Sequence, residues 1–124
     1  MTVIRPFKAI RPSKDKVHLV VTRKFASHPI SFIHKILNEN PYSFLHIFHP
    51  GFTDLKKAIK PDSPFQLTRI KNKFEEFINR GILIQDKTEN FYIYRQIREN
   101  GNSYTGIIGN ISLDEYLNGT IKKH

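Results

Sequence analysis

The chain has 124 residues, 39% of them hydrophobic and 25% charged, with no cysteine and a formal net charge of +9. This is the length and composition of one globular domain that can bury a core without covalent staples, so a disordered chain is excluded. The missing thiols exclude a disulfide framework, a thiolate zinc site and a cysteine nucleophile together.

The positive charge is uneven. Residues 1–62 hold eleven Lys/Arg against four Asp/Glu, whereas residues 63–124 hold nine against seven. A basic first half can attract nucleic acid or phosphorylated ligands, but basicity without a nucleic-acid motif reads first as a solvated surface. The opening Met1-Thr2-Val3-Ile4-Arg5-Pro6 has neither an apolar stretch nor a small-residue cleavage site, so it is not expected to be a signal peptide. No apolar run approaches the ~20 residues of a membrane helix. The expectation is a cytoplasmic protein with no membrane partner.

Residues 3–21 read as extended. Arg5-Pro6 and Arg11-Pro12 punctuate Ile4, Phe7 and Ile10, and proline suits an edge strand or open loop. Lys14-Asp15-Lys16 reads as a polar turn, and His18-Leu19-Val20-Val21-Thr22 as a short β-branched strand. Residues 27–40 predict a helix, with Ser27 as cap, Pro29 in the first turn and an apolar face of Ile30, Ile33, Ile36 and Leu37. Phe44-Leu45-His46-Ile47-Phe48 reads as a strand stopped by Pro50-Gly51, and residues 52–61 as a loop or loose helical turn.

Ser63-Pro64-Phe65-Gln66 has the form of a capping box with proline at the first helical position. Leu67, Ile70, Phe74, Phe77 and Ile78 then make one stripe, and Gly81 closes the helix. Ile82-Leu83-Ile84, residues 91–97 and residues 104–111 read as strands. Asn100-Gly101 predicts a two-residue hairpin, because both residues tolerate positive φ. Ser112-Leu113-Asp114-Glu115 is a second capping box, opening a short helix that Gly119 ends.

Few of these residues point to specific chemistry. His46 and His49 lie three apart on an expected strand, where they would face opposite sides, and no helical H-E-x-x-H exists, so no metal site is expected. Glu75-Glu76 reads as a solvated pair, and Asp114-Glu115 as a complement to a helix N-terminus. Gly106 and Gly109 lack a phosphate-loop context and read as close-packing positions. Phe91-Tyr92-Ile93-Tyr94 beside Arg95 and Arg98 could stack on bases, but no ribonucleoprotein consensus is present and ordinary sheet packing explains the run.

The order of several segments is more informative than any one of them. They are Pro6-Phe7-Lys8-Ala9-Ile10-Arg11-Pro12, residues 40–47, residues 81–86, residues 91–95, Gly106-Ile107-Ile108-Gly109, and Asp114-Glu115-Tyr116 with Gly119-Thr120-Ile121-Lys122-Lys123-His124. Together they resemble the N-terminal portion of the domain-of-unknown-function 1015 family of bacteria and archaea, in its Bacteroidetes flavour. In that family the Lys-Lys-His run is followed by glutamate, and a later Asp-Gly-His-His-Arg motif is similar to the phosphate-handling motif of ParB-like and free-serine-kinase-like proteins. Neither the glutamate nor the later motif is in these 124 residues, and Thr22-Arg23-Lys24-Phe25 stands where many members carry Pro-Tyr-Asp. The resemblance implies the N-terminal part of a small-molecule enzyme, phosphoryl-transferring in type. Lys122 and Lys123 would be cationic donors for a phosphate, and His124 a proton-transfer residue.

The expected fold is α+β: a single domain with a mostly antiparallel sheet around the strands of residues 82–111, packed by amphipathic helices, chiefly residues 63–80. Three functions stay open: a small-molecule enzyme acting on a phosphorylated metabolite or nucleotide, a nucleic-acid-binding module on the basic surface, and a non-catalytic interaction or scaffold domain. Neither motif nor resemblance specifies a cofactor or an oligomeric state.

Overall fold

The computed structural model describes residues 2–22, 29–48, 50 and 63–122. The architecture is α+β. Its elements run β1 (Ile10–Pro12), α1 (Val17–Val20), α2 (Ile30–Glu39), α3 (Leu45–Phe48), α4 (Pro64–Asn79), β2 (Leu83–Gln85), β3 (Tyr92–Ile97), β4 (Ser103–Ile108) and α5 (Leu113–Leu117). The strands do not form one sheet: β1 pairs with β2, and β3 with β4. The chain divides into two compact units, Arg11–Ile84 and the combination of Met1–Ile10 with Gln85–His124.

In the unit Arg11–Ile84, α4 forms where its sequence signals place it. Ser63 caps it by accepting the Gln66 N–H at 3.2 Å, and Pro64 occupies the first turn, where a missing amide costs no helical bond. Phe77 is fully buried, with Ile70, Phe74 and Ile78 beside it, against Val20, Ile47, Ile82 and Leu83. Leu67, expected in the same stripe, is 55% exposed one turn earlier. Gly81 takes φ +67°, the left-handed conformation that ends a helix without a Cβ clash. A second cluster joins Ile33 and Leu37 of α2 to Leu45, with Ile36 beside them. Ile30 does not join it and is 64% exposed. Pro29 is the N-cap of α2 rather than a first-turn residue, and Ser27 lies outside the described residues.

Two expected strands are helical turns. Residues 18–22 read as a strand by composition, yet Leu19 and Val20 donate their amides to Lys16 O, and Val21 donates to Val17 O. This turn places Val20 in the main cluster. Residues 44–48 alternate in burial as a strand would, with Leu45 and Ile47 buried, but His46 donates its amide to Ser43 O, and Ile47 and Phe48 donate theirs to Phe44 O. Ser43 Oγ accepts the Leu45 N–H, and Phe44 N–H is held by Val20 O at 3.1 Å. Four residues are too few for β-propensity to outweigh such packing. The reading of residues 52–61 falls outside the described residues.

The polar face of α4 carries Lys71–Glu75 at 3.8 Å, with Glu76 between Lys73 at 2.7 Å and Arg80 at 3.1 Å. The solvated pair Glu75-Glu76 is therefore a ladder of helical ion pairs. Lys73 first, then Arg80, holds the Glu76 carboxyl below the ordinary glutamate value of 4.5. A depressed folded-state value stabilises the fold above that ordinary value, and the contribution is lost as pH falls through the folded value. Glu76→Gln is therefore expected to cost up to about 1 kcal/mol near neutrality, because the pairs are half exposed. The difference from the parent should close below about pH 4.5 in urea titrations at stepped pH.

In the other unit, β3 and β4 form an antiparallel hairpin with Tyr92 opposite Ile108, Ile93 opposite Ile107 and Ile97 opposite Ser103. Its loop is longer than the two-residue turn expected. The Gly101 amide donates to Arg98 O, the Arg98 amide to Asn102 O, and Asn100 Oδ1 accepts the Asn102 amide. Gly101 alone has positive φ, at +84°, and Asn100 does not. The longer loop spares the Asn a left-handed backbone. Gly109 is a close-packing position: a Cβ there would come within 2.6 Å of Ile4 Cγ2 and 3.1 Å of the Phe91 ring, whereas one at Gly106 would meet open space.

Candidate small-molecule site

The N-terminal segment is stitched to both ends of the hairpin. Arg5 and Asn110 exchange backbone hydrogen bonds at 2.9 and 2.8 Å, and Phe7 and Asn90 do so at 3.1 and 2.9 Å. Tyr92 locks this arrangement. Its hydroxyl donates to Asp86 Oδ2 at 2.5 Å and accepts the Ala9 N–H at 2.9 Å, while its ring leans on Phe7 with centroids 5.0 Å apart. Tyr92 is thereby removed from any base-stacking platform. In the same hairpin the Arg98 guanidinium lies 4.7 Å from the Tyr104 ring centroid.

The Arg5–Asn110 bridge forms one wall of an open cavity of about 430 Å³, lined by Val3, Arg5, Asn110, Ile111, Ser112 and Glu115. That volume is within the range of small-molecule sites. Ser112 caps α5 through the Glu115 amide at 3.4 Å, which sets Glu115 in the first turn at the cavity edge. One carboxylate oxygen of Glu115, Oε2, is buried without a hydrogen-bond partner. A buried acceptor left unmatched is costly, so the group favours a donor brought to it. Gly119, at φ +81°, turns the chain back, and the Ile121 N–H donates to Glu115 O at 3.0 Å. Lys122, which follows Ile121 directly, is exposed and is not among the residues that line this cavity. Lys123 and His124 lie outside the described residues.

Arg5 and Glu115 escaped the sequence reading. Arg5 looks like strand punctuation, and Glu115 like a complement to the helix N-terminus. Only a backbone bridge between residues 5 and 110 brings them to one cavity, and no local pattern encodes that pairing.

The other candidate residues have structural duties. His46 donates from Nε2 to Asn40 O at 3.0 Å, and His49 lies outside the described residues. No group of three or more potential metal ligands occurs among the described residues. The second cavity, about 280 Å³ between α1, α2 and α3, has Asn40 and Ser43 on its wall. Both already serve the fold. Asn40 donates to Leu19 O at 2.6 Å and accepts the Tyr42 N–H at 3.0 Å, and Ser43 accepts from Leu45. The rest of that cavity is mainly apolar, with His18, Thr22 and Glu39 as its other polar lining residues.

The elements and their order define an α+β protein in which an extended N-terminal segment closes on a hairpin and a capped helical turn. This chain belongs to the DUF1015 family, described as a protein of unknown function, whose family model matches residues 4–124. No curated protein and no solved structure matches the chain. No helix among the described residues is long and apolar enough to cross a membrane.

Proposed function

We propose that this chain is the N-terminal part of a small-molecule enzyme whose substrate carries phosphate, bound in the cavity lined by Arg5 and Glu115. The observation that supports this reading is the hydrogen bond from Ile121 to Glu115, which ties the residue before Lys122 to the helical turn whose Glu115 lines the same cavity as Arg5. Arginine recognises phosphate through its planar fork, and lysine adds a point charge. In this reading Lys122 and Lys123 neutralise the transferring group and His124 moves a proton, as a histidine can near neutral pH. Glu115 accepts a hydroxyl or ammonium donor of the same ligand.

A thermal-shift panel of nucleotides and phosphorylated metabolites tests this. Stabilisation by at least one compound is expected, with affinity reduced at least about 10-fold in Arg5→Ala and in Lys122→Ala, as loss of a charged contact predicts. A panel without any stabilising compound would overturn the reading. So would a ligand whose affinity ignores both substitutions. Binding of the same compounds to an unrelated basic protein serves as the control for charge alone.

A further inference from the structure

Every buried hydrophobic side chain among the described residues belongs to the unit Arg11–Ile84. The hairpin unit instead leaves three large apolar side chains of one face in solvent, interspersed with Arg95, Thr105 and Ser103. Ile93 and Ile97 alternate to one face of β3, Ile107 stands directly opposite Ile93 on β4, and the three are 77%, 70% and 76% exposed. Arg95 sits between Ile93 and Ile97 on that face, with no ion pair among the described residues. The same unit carries a second apolar surface of matching character. Leu113 and Leu117 are one helical turn apart on α5 and each is 68% exposed, with the exposed acidic side chain of Asp114 bordering them. One surface is apolar around a cation, and the other is apolar beside an anion.

We propose that the hairpin unit self-associates, α5 of each copy docking on the Ile93/Ile97/Ile107 face of the other. The occupant is a second copy because both complementary surfaces belong to one unit, so a two-fold axis satisfies each twice. Reciprocal docking pairs Arg95 of one protomer with Asp114 of its partner, and covers five large apolar side chains from each copy. A handful of well-packed central residues carries most of the energy in an ordinary interface.

Sedimentation velocity of the full chain, from about 1 to about 100 µM, is the test, since interfaces of ordinary size dissociate in or below this range. The parent is expected to shift from monomer to dimer. Arg95→Glu and Asp114→Lys are each expected to weaken the dimer at least about 10-fold, because each places like charges together twice. Mixed in equal amounts, the two variants should associate again, since each hairpin then meets an α5 of opposite charge. Circular dichroism checks that both variants, changed at exposed positions, remain folded. A parent that stays monomeric overturns the proposal. Dimers indifferent to both charge reversals, or a mixture that fails to associate, overturn this geometry.

Discussion

Replacing Phe77 with alanine is expected to lower the unfolding free energy of the unit Arg11–Ile84 by about 3–5 kcal/mol. Phe77 is 0% exposed and packs among Val20, Ile47, Ile82 and Leu83, which come from three separate stretches of chain. Truncation removes the transfer free energy of the ring and leaves a cavity that helix α4 cannot collapse without moving its other contacts. Against a typical net stability of about 5–15 kcal/mol, such a loss is a large fraction of the whole. The measurement is a urea titration followed by far-ultraviolet circular dichroism. Leu67→Ala, on the same helix but 55% exposed, is the control and should move the midpoint far less. Equal effects from the two would mean that the α4 stripe is not what holds this unit together. Loss of Phe77 should also release α1 and α3, because both turns are helical through their place in the same cluster.

Tyr92→Phe is expected to cost about 1.5–3 kcal/mol of local stability in the hairpin unit, the range for a hydrogen bond to a charged group. The substitution keeps the ring that packs on Phe7 and removes only the hydroxyl shared between Asp86 Oδ2 and the Ala9 amide. The predicted readout is faster hydrogen exchange at Ala9 and at the Arg5 and Phe7 amides, which donate to Asn110 O and Asn90 O. Tyr94→Phe, altered at a 53% exposed side chain of the same strand, should leave these amides protected. Unchanged exchange at Ala9 in Tyr92→Phe would show that the backbone bridges hold the N-terminal segment unaided. The Tyr92 clasp bears on the candidate site. Arg5 reaches its cavity through the segment that Tyr92 fastens, so loosening the clasp should also weaken any ligand that depends on Arg5.

Several parts of this structure were legible in the amino-acid order because their causes are local. Ser63 followed by Pro64 and a stripe ending at Phe77 and Ile78 dictates α4, since cap, first turn and apolar face lie within one segment. Asn100-Gly101 between alternating runs dictates a hairpin, and Gly101 does adopt the positive φ expected of it. Ser112 and Gly119 bracket α5 in the same way, and the order of motifs along the whole chain already pointed to the DUF1015 family that the family match bears out. The conformations of residues 17–20 and 45–48 were not legible. Four residues of which three are apolar suit a strand or a helical turn equally, and only the packing of Val20 and Ile47 in the Phe77 cluster decides between them. The single sheet expected from residues 82–111 divides because β2 finds its partner in β1, far away in the chain. The cavity is the extreme case. Arg5, Asn110 and Glu115 carry no shared motif, and their meeting depends on a backbone register between distant segments, which tertiary structure alone determines.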